Sequence, residues 1–230
     1  MIHFKYIVSI FYFFSIQFVW AGLPLQSEPP KTVFVQLFEW PWKEIARECE
    51  IYLGPKKFAA VQVSPPQEHL INSENTWWSR YQVVSYKLES RSGTEEEFID
   101  MVQRCKNAGV DVYVDTVINH MTGVVSGVGS AGTQFTQYEY PGLYTREDFH
   151  FCGRNGNNDI HNWTDLFELH FCQLVGLADL KTESYKVQKT QVEYLNRLTD
   201  IGVKGFRIDA AKHMPPKDIL SITSQLKNDP

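Results

Sequence analysis

Gly205-Phe206-Arg207-Ile208-Asp209-Ala210-Ala211-Lys212-His213 is the stretch that decides the fold. With Lys204 in front of it, its apolar beginning reads as a short strand that ends at Ile208. Arg207 and Asp209 are two residues apart, so an extended chain puts both side chains on one face. A guanidinium that close keeps a carboxylate ionised at neutral pH, the condition a nucleophile or charge stabiliser needs. Lys212 and His213 follow on the next turn. Upstream, Val187, Gln191, Tyr194, Leu195, Leu198 and Ile201 recur on one face of a helix from Thr182, and Gly202 caps it. A capped helix that runs into a short apolar strand is the unit of a parallel α/β sheet.

The same unit repeats toward the N-terminus. Thr32 to Phe38 predicts a strand, and Trp42 to Tyr52 a helix with Ile45, Cys49 and Tyr52 on one side. Phe58 to Val63 predicts a second strand, closed by Ser64-Pro65-Pro66. Thr94-Glu95-Glu96-Glu97 forms a capping box with acids at the positive helix end, and Phe98, Met101, Val102 and Cys105 face inward before Gly109. Asp111 to Val117 is a third strand, and Pro215-Pro216 opens a last helix to Leu226. Between strands three and four, residues from about Thr122 to Gly176 are rich in Gly, Ser, Asn and Thr and lose the helical period.

Polar residues stand at the C-terminal ends of strands three and four, where a (β/α)₈ TIM barrel keeps its active site. The expected architecture is therefore α/β: the N-terminal half of such a barrel, with a small irregular, β-rich domain inserted after strand 3. Expected boundaries are a leader over 1–21, barrel over 22–121, insertion over 122–178, and barrel again over 179–230, truncated after the fourth unit.

A net charge of −5 with scattered Lys and Arg leaves no basic stripe, which argues against nucleic acid as a partner. Lys5, the apolar run Ile7–Trp20 and Val19-Trp20-Ala21 read as a secretory signal cleaved after Ala21. The run is shorter than the ~20 residues a span requires, so no membrane attachment is expected after cleavage, and the protein is expected to be secreted. Cys49, Cys105, Cys152 and Cys172 lack the spacing of a zinc site, and an even count in an oxidising compartment favours two disulfides. Of the three possible pairings, nearest-neighbour ordering gives Cys49–Cys105 and Cys152–Cys172.

Asp115-Thr116-Val117-Ile118-Asn119-His120 and the stretch 205–213 together resemble the first two motif regions of the alpha-amylases, glycoside hydrolase family 13. Val61-Gln62-Val63-Ser64-Pro65-Pro66 and Trp77-Trp78-Ser79-Arg80-Tyr81-Gln82 are similar to the animal-type, chloride-dependent branch, and the resemblance runs from about residue 31 to 230. It implies a hydrolase that cuts internal α-1,4-glucosidic bonds of starch, glycogen and malto-oligosaccharides with retention of configuration. Asp209 would be the nucleophile and Arg207 its orienting partner, while Asp115 would support the site. Retention also needs a carboxylic acid about 5 Å from the nucleophile; the family's Glu would lie beyond the end of this chain, so the 230 residues alone are expected to be inactive.

The resemblance also implies sugar contacts at Trp77, Trp78, Tyr81, Gln82, His120, Trp163, Lys212 and His213. It implies structural Ca²⁺ held by the side chains of Asn119 and Asp179 and the carbonyls of His170 and His213, and chloride at Arg207. Asn162-Trp163-Thr164 is a glycosylation sequon. A monomer is expected. The rival expectation is a secreted short form, catalytically inactive and allergen-like, that binds carbohydrate without cleaving it.

Overall fold

The computed structural model describes residues 31–227, so the leader read over 1–21 lies outside the described residues. Strands β1 (Phe34–Leu37), β2 (Ala60–Val63), β3 (Asp111–Thr116) and β6 (Gly205–Ile208) form one parallel sheet in the order β1-β2-β3-β6. Helix α1 (Trp42–Glu48), extended by a π-helical turn over Cys49–Leu53, joins the first pair, and α2 (Glu95–Asn107) leads into β3. Helix α4 (Tyr185–Ile201) leads into β6, and α5 (Pro216–Thr223) follows it. Four consecutive β/α units with this order and direction are half of a (β/α)₈ barrel.

Register gives the two faces of the sheet different work. Val61, Val63, Val112 and Val114 are buried in one core with Trp42 and Ile45 of α1 and Phe98, Met101 and Val102 of α2. Each such side chain removed from water contributes about 1.5–3 kcal/mol, which fixes the helices against this face. The alternate row, Gln36, Gln62, Tyr113 and Gly205, lies in register on the opposite face, and Asp115 and Arg207 pair two residues further along it. Strand ends thus deliver the polar groups to one edge.

Local chemistry sets the helix ends. Thr94 accepts from the Glu97 N–H while the Glu97 side chain accepts from the Thr94 N–H, the reciprocal box that relieves free donors at the start of α2. Gly202 ends α4 at φ 119°, a conformation that favours glycine. The observed strands are shorter than the apolar runs, although the Ala59 N–H still donates to the Val33 carbonyl at 2.7 Å just before β1 and β2.

The segment between β3 and α4 is mostly loop. It contains a hairpin of β4 (Ser126–Val128) and β5 (Gln134–Thr136), a 3₁₀ turn over Arg146–Asp148 and a short α-helix, α3 (Leu166–Phe171), which its sequence period does not suggest. Phe135, Tyr140, Tyr144 and Phe149 from this segment belong to the same core as the sheet, while Ile160, Leu169 and Cys172 form a small second cluster. The buried Glu68 carboxylate, just after β2, accepts from the Ala131 and Thr133 N–H groups at 3.0 Å each and from Ser85 Oγ. It fastens the hairpin end to the sheet. Cys152 pairs with Cys172 inside the segment, and Cys49 with Cys105 between α2 and the turn after α1. No helix among the described residues is long and apolar enough to cross a membrane.

Candidate functional site

Arg207 and Asp115 are register partners at the ends of β6 and β3. Arg207 Nη1 donates to Asp115 Oδ1 at 2.7 Å and to Asp209 Oδ1 at 2.7 Å. The other oxygen of Asp115 accepts from the Tyr81 hydroxyl at 2.8 Å. Asp115 is 1% exposed; burial pushes its carboxyl up, and the hydrogen bonds from Arg207 and Tyr81 oppose that rise. Burial works against the Arg207 charge too, but the two carboxylates outweigh it and hold the guanidinium above its ordinary value. Burial and the Asp115 charge raise the Tyr81 phenol, so it stays a hydrogen-bond donor. Asp209 differs from Asp115 in access, because it faces a cavity.

That cavity measures about 570 Å³. Trp77, Trp78, Tyr81 and Gln82 form one wall, Gly123, Val124, Val175 and Leu177 the other, and Arg207 and Asp209 the floor. The 3₁₀ turn Trp77–Tyr81 buries Ser79 and Arg80 and turns Trp77 and Trp78 outward, 56% and 42% exposed. Trp77 meets Phe38 and Tyr81 edge-on, each at 6.0 Å. The Gln82 carboxamide oxygen accepts from the Gly123 N–H at 2.9 Å, which ties the two walls together.

His120 is buried. Its Nε2 donates to the Tyr81 carbonyl at 3.0 Å and its Nδ1 accepts from Asn119 Nδ2 at 3.2 Å. Burial lowers its pKa, with Asp209 acting the other way, so the ring is a neutral support under the aromatic wall. Asn119 Nδ2 also lies 3.4 Å from Asp179 Oδ1, and His150 bonds the second Asp179 oxygen at 2.8 Å. Burial pushes the Asp179 carboxyl up. An amide and a carboxylate are residue types whose oxygens Ca²⁺ takes, and here the Asn119 nitrogen is the atom that faces Asp179. Among the described residues no three His, Cys, Asp or Glu gather into a metal cluster.

The remaining predicted residues form a second patch. Lys212 Nζ lies 5.9 Å from the Trp163 ring, and the Trp163 and His213 rings are 6.0 Å apart. His213 is mostly buried, its Nδ1 donating to the Leu169 carbonyl at 3.2 Å. His170 follows Leu169 on α3, its ring 6.3 Å from that of Phe171. These four residues do not line the cavity that Trp77 and Asp209 share. The far wall, Gly123, Val124, Val175 and Leu177, escaped the sequence reading because small and aliphatic loop residues carry no chemical signal. The Gln82–Gly123 bond shows why they belong there.

Comparison with known proteins accords with this geometry. The family model for the alpha amylase catalytic domain matches residues 52–230. An alpha-amylase of Thermomonospora curvata is 53% identical over 216 residues, 90% of this chain and 35% of that protein. An alpha-amylase-related protein of Drosophila melanogaster is 48% identical over 203 residues, 86% of this chain and 40% of that protein. The crystal structure of alpha-amylase I from Eisenia fetida superposes with a TM-score of 0.82 at 44% identity, covering 85% of this chain and 40% of that one. The chain thus spans 35–40% of the length of these relatives. With Asp115, Arg207 and Asp209 gathered at the strand ends of a half barrel, it belongs to the alpha-amylase family.

Proposed function

We propose that the protein hydrolyses internal α-1,4-glucosidic bonds of starch, glycogen and malto-oligosaccharides with retention of configuration. The observation that carries this reading is the Arg207 bridge between a buried aspartate and an accessible one at the floor of an aromatic cavity. A free Asp209 oxygen attacks the anomeric carbon, and Arg207 orients the carboxylate for that attack. Arg207 is itself held in place by Asp115 and, through it, by Tyr81. The leaving sugar oxygen takes a proton from a carboxylic acid about 5 Å away, and water then releases the glycosyl group.

Asp115 cannot be that acid, because it is buried and both its oxygens are engaged. We assign the acid to a Glu outside these 230 residues. The exposed faces of Trp77 and Trp78 suit the apolar faces of pyranose rings, with Tyr81, Gln82 and His120 beside them and Trp163, Lys212 and His213 at more distant sugars. A variant of the Eisenia fetida enzyme has been solved with maltohexaose.

Asn119 and Asp179, with the carbonyls of His170 and His213, would hold a structural Ca²⁺ that joins segment 122–178 to the barrel parts on either side. Chloride at Arg207 belongs to the same reading. Two disulfides support a secreted protein. Asp209→Asn in the intact protein is expected to lower kcat on starch by on the order of 10⁴-fold. A variant with near-normal turnover would remove Asp209 as nucleophile.

A further inference from the structure

Apolar support for the loop that carries the aromatic wall includes the edge-on contacts of Trp77 with Phe38 and Tyr81. From Ser73 to Asn75 it is exposed, and Trp77 and Trp78 point outward rather than into the core. Its C-terminal end is held by His120, Asp115 and the Gln82–Gly123 bond, whereas the oxygens around the tryptophans converge on one side chain. Arg91 Nη1 donates to Asn75 Oδ1 and the Thr76 carbonyl at 2.9 Å each, and lies 3.2 Å from the Asn75 carbonyl and 3.4 Å from Ser79 Oγ. These oxygens flank Trp77 and Trp78 in the chain on both sides. Arg91 Nη2 bonds Glu39 Oε2. The other Glu39 oxygen faces Arg80 Nε at 3.1 Å, and Arg80 belongs to the same turn as the tryptophans. Glu39 is fixed in its turn: it follows β1 at φ 68°, and its N–H donates to Ser64 Oγ at 2.8 Å. A planar guanidinium can serve one carboxylate and several loop oxygens at once, which an ammonium cannot.

We propose that Arg91, braced by Glu39, is a positioning residue for the aromatic wall: it sets the Trp77 and Trp78 rings against the strand ends and thereby governs affinity for the oligosaccharide. This rests on reading the cavity as a glucan cleft. Arg91 touches no reacting atom, so its loss acts on binding before it acts on bond cleavage.

The test is a cycle in the intact protein with maltohexaose as ligand, using Arg91→Gln, the pair Trp77→Ala/Trp78→Ala, and all three changes together. Affinity is read as KM and as Kd from tryptophan quenching, the ring-less proteins by calorimetry. Arg91→Gln is expected to weaken binding about tenfold, with kcat within about twofold, and to weaken it less than about twofold once the rings are gone. Unchanged affinity in Arg91→Gln overturns the proposal, and so does a tenfold loss that persists without the rings. If removing the rings leaves affinity as it was, the cleft reading itself fails, a result separate from either of those. Should Arg91→Gln not fold, Arg91→Lys keeps the charge facing Glu39, loses the fork and is taken through the same cycle with the same expected outcome.

Discussion

His69 takes no part in the cavity, yet it sets a limit on acid stability. Its Nδ1 donates to the Leu70 carbonyl at 2.9 Å, and its Nε2 accepts from the Arg91 N–H at 3.2 Å. The ring is therefore neutral in the folded state, and burial lowers its pKa to about 4 from 6.5. Above pH 6.5 folded and unfolded forms are both neutral, and nothing is lost. As pH falls from 6.5 to 4 the unfolded chain takes up a proton that the folded protein refuses, and stability drops by up to ~1.4 kcal/mol per unit. Urea midpoints of the intact protein at pH 7 and 4.5 should show a smaller acid loss for His69→Gln than for wild type. An equal loss in both would show that His69 does not carry it. At this scale Arg207 and Asp209 were legible, because a two-residue spacing on a strand fixes a shared face. Glu39 and Arg91 were not, because 52 residues separate them and each alone reads as a solvated charge.

Among elements, β6 depends on one missing side chain. A Cβ at Gly205 would lie 2.8 Å from Cδ1 of Tyr113, its register partner on β3. Gly205→Ala should cost about 1–3 kcal/mol from overpacking, against the few tenths to 1 kcal/mol that alanine gains by restricting the unfolded chain. Combined with Tyr113→Val, which vacates that space, the cost should fall below the sum of the two single changes. An unchanged urea midpoint for Gly205→Ala would show that the ring yields freely. The capping box of α2 and the Gly202 stop of α4 were readable because each is a local exchange within four residues. The hairpin of β4 and β5 and helix α3 were not. They are short, and long-range contacts hold them: Glu68 fastens the hairpin from more than sixty residues away, and the Cys152–Cys172 disulfide closes the loop that carries α3.

In the whole molecule, parallel strands bring Asp115, Arg207 and Asp209 to one edge of a sheet, and the loop excursion after β3 supplies the opposite wall of the cavity. The alternation of strand and helix made that sheet predictable. The second wall required the folded path of the chain. Under the proposed function, this edge performs retaining cleavage of α-1,4-glucosidic bonds, with Asp209 forming the covalent bond to the sugar. The most direct test is a proton NMR time course of maltohexaose with the intact protein, read before mutarotation mixes the anomers. Internal cuts are expected, with new reducing ends that appear first as the α-anomer, and no such signal with Asp209→Asn. First appearance of the β-anomer, or binding of maltohexaose with no new reducing ends, would contradict it.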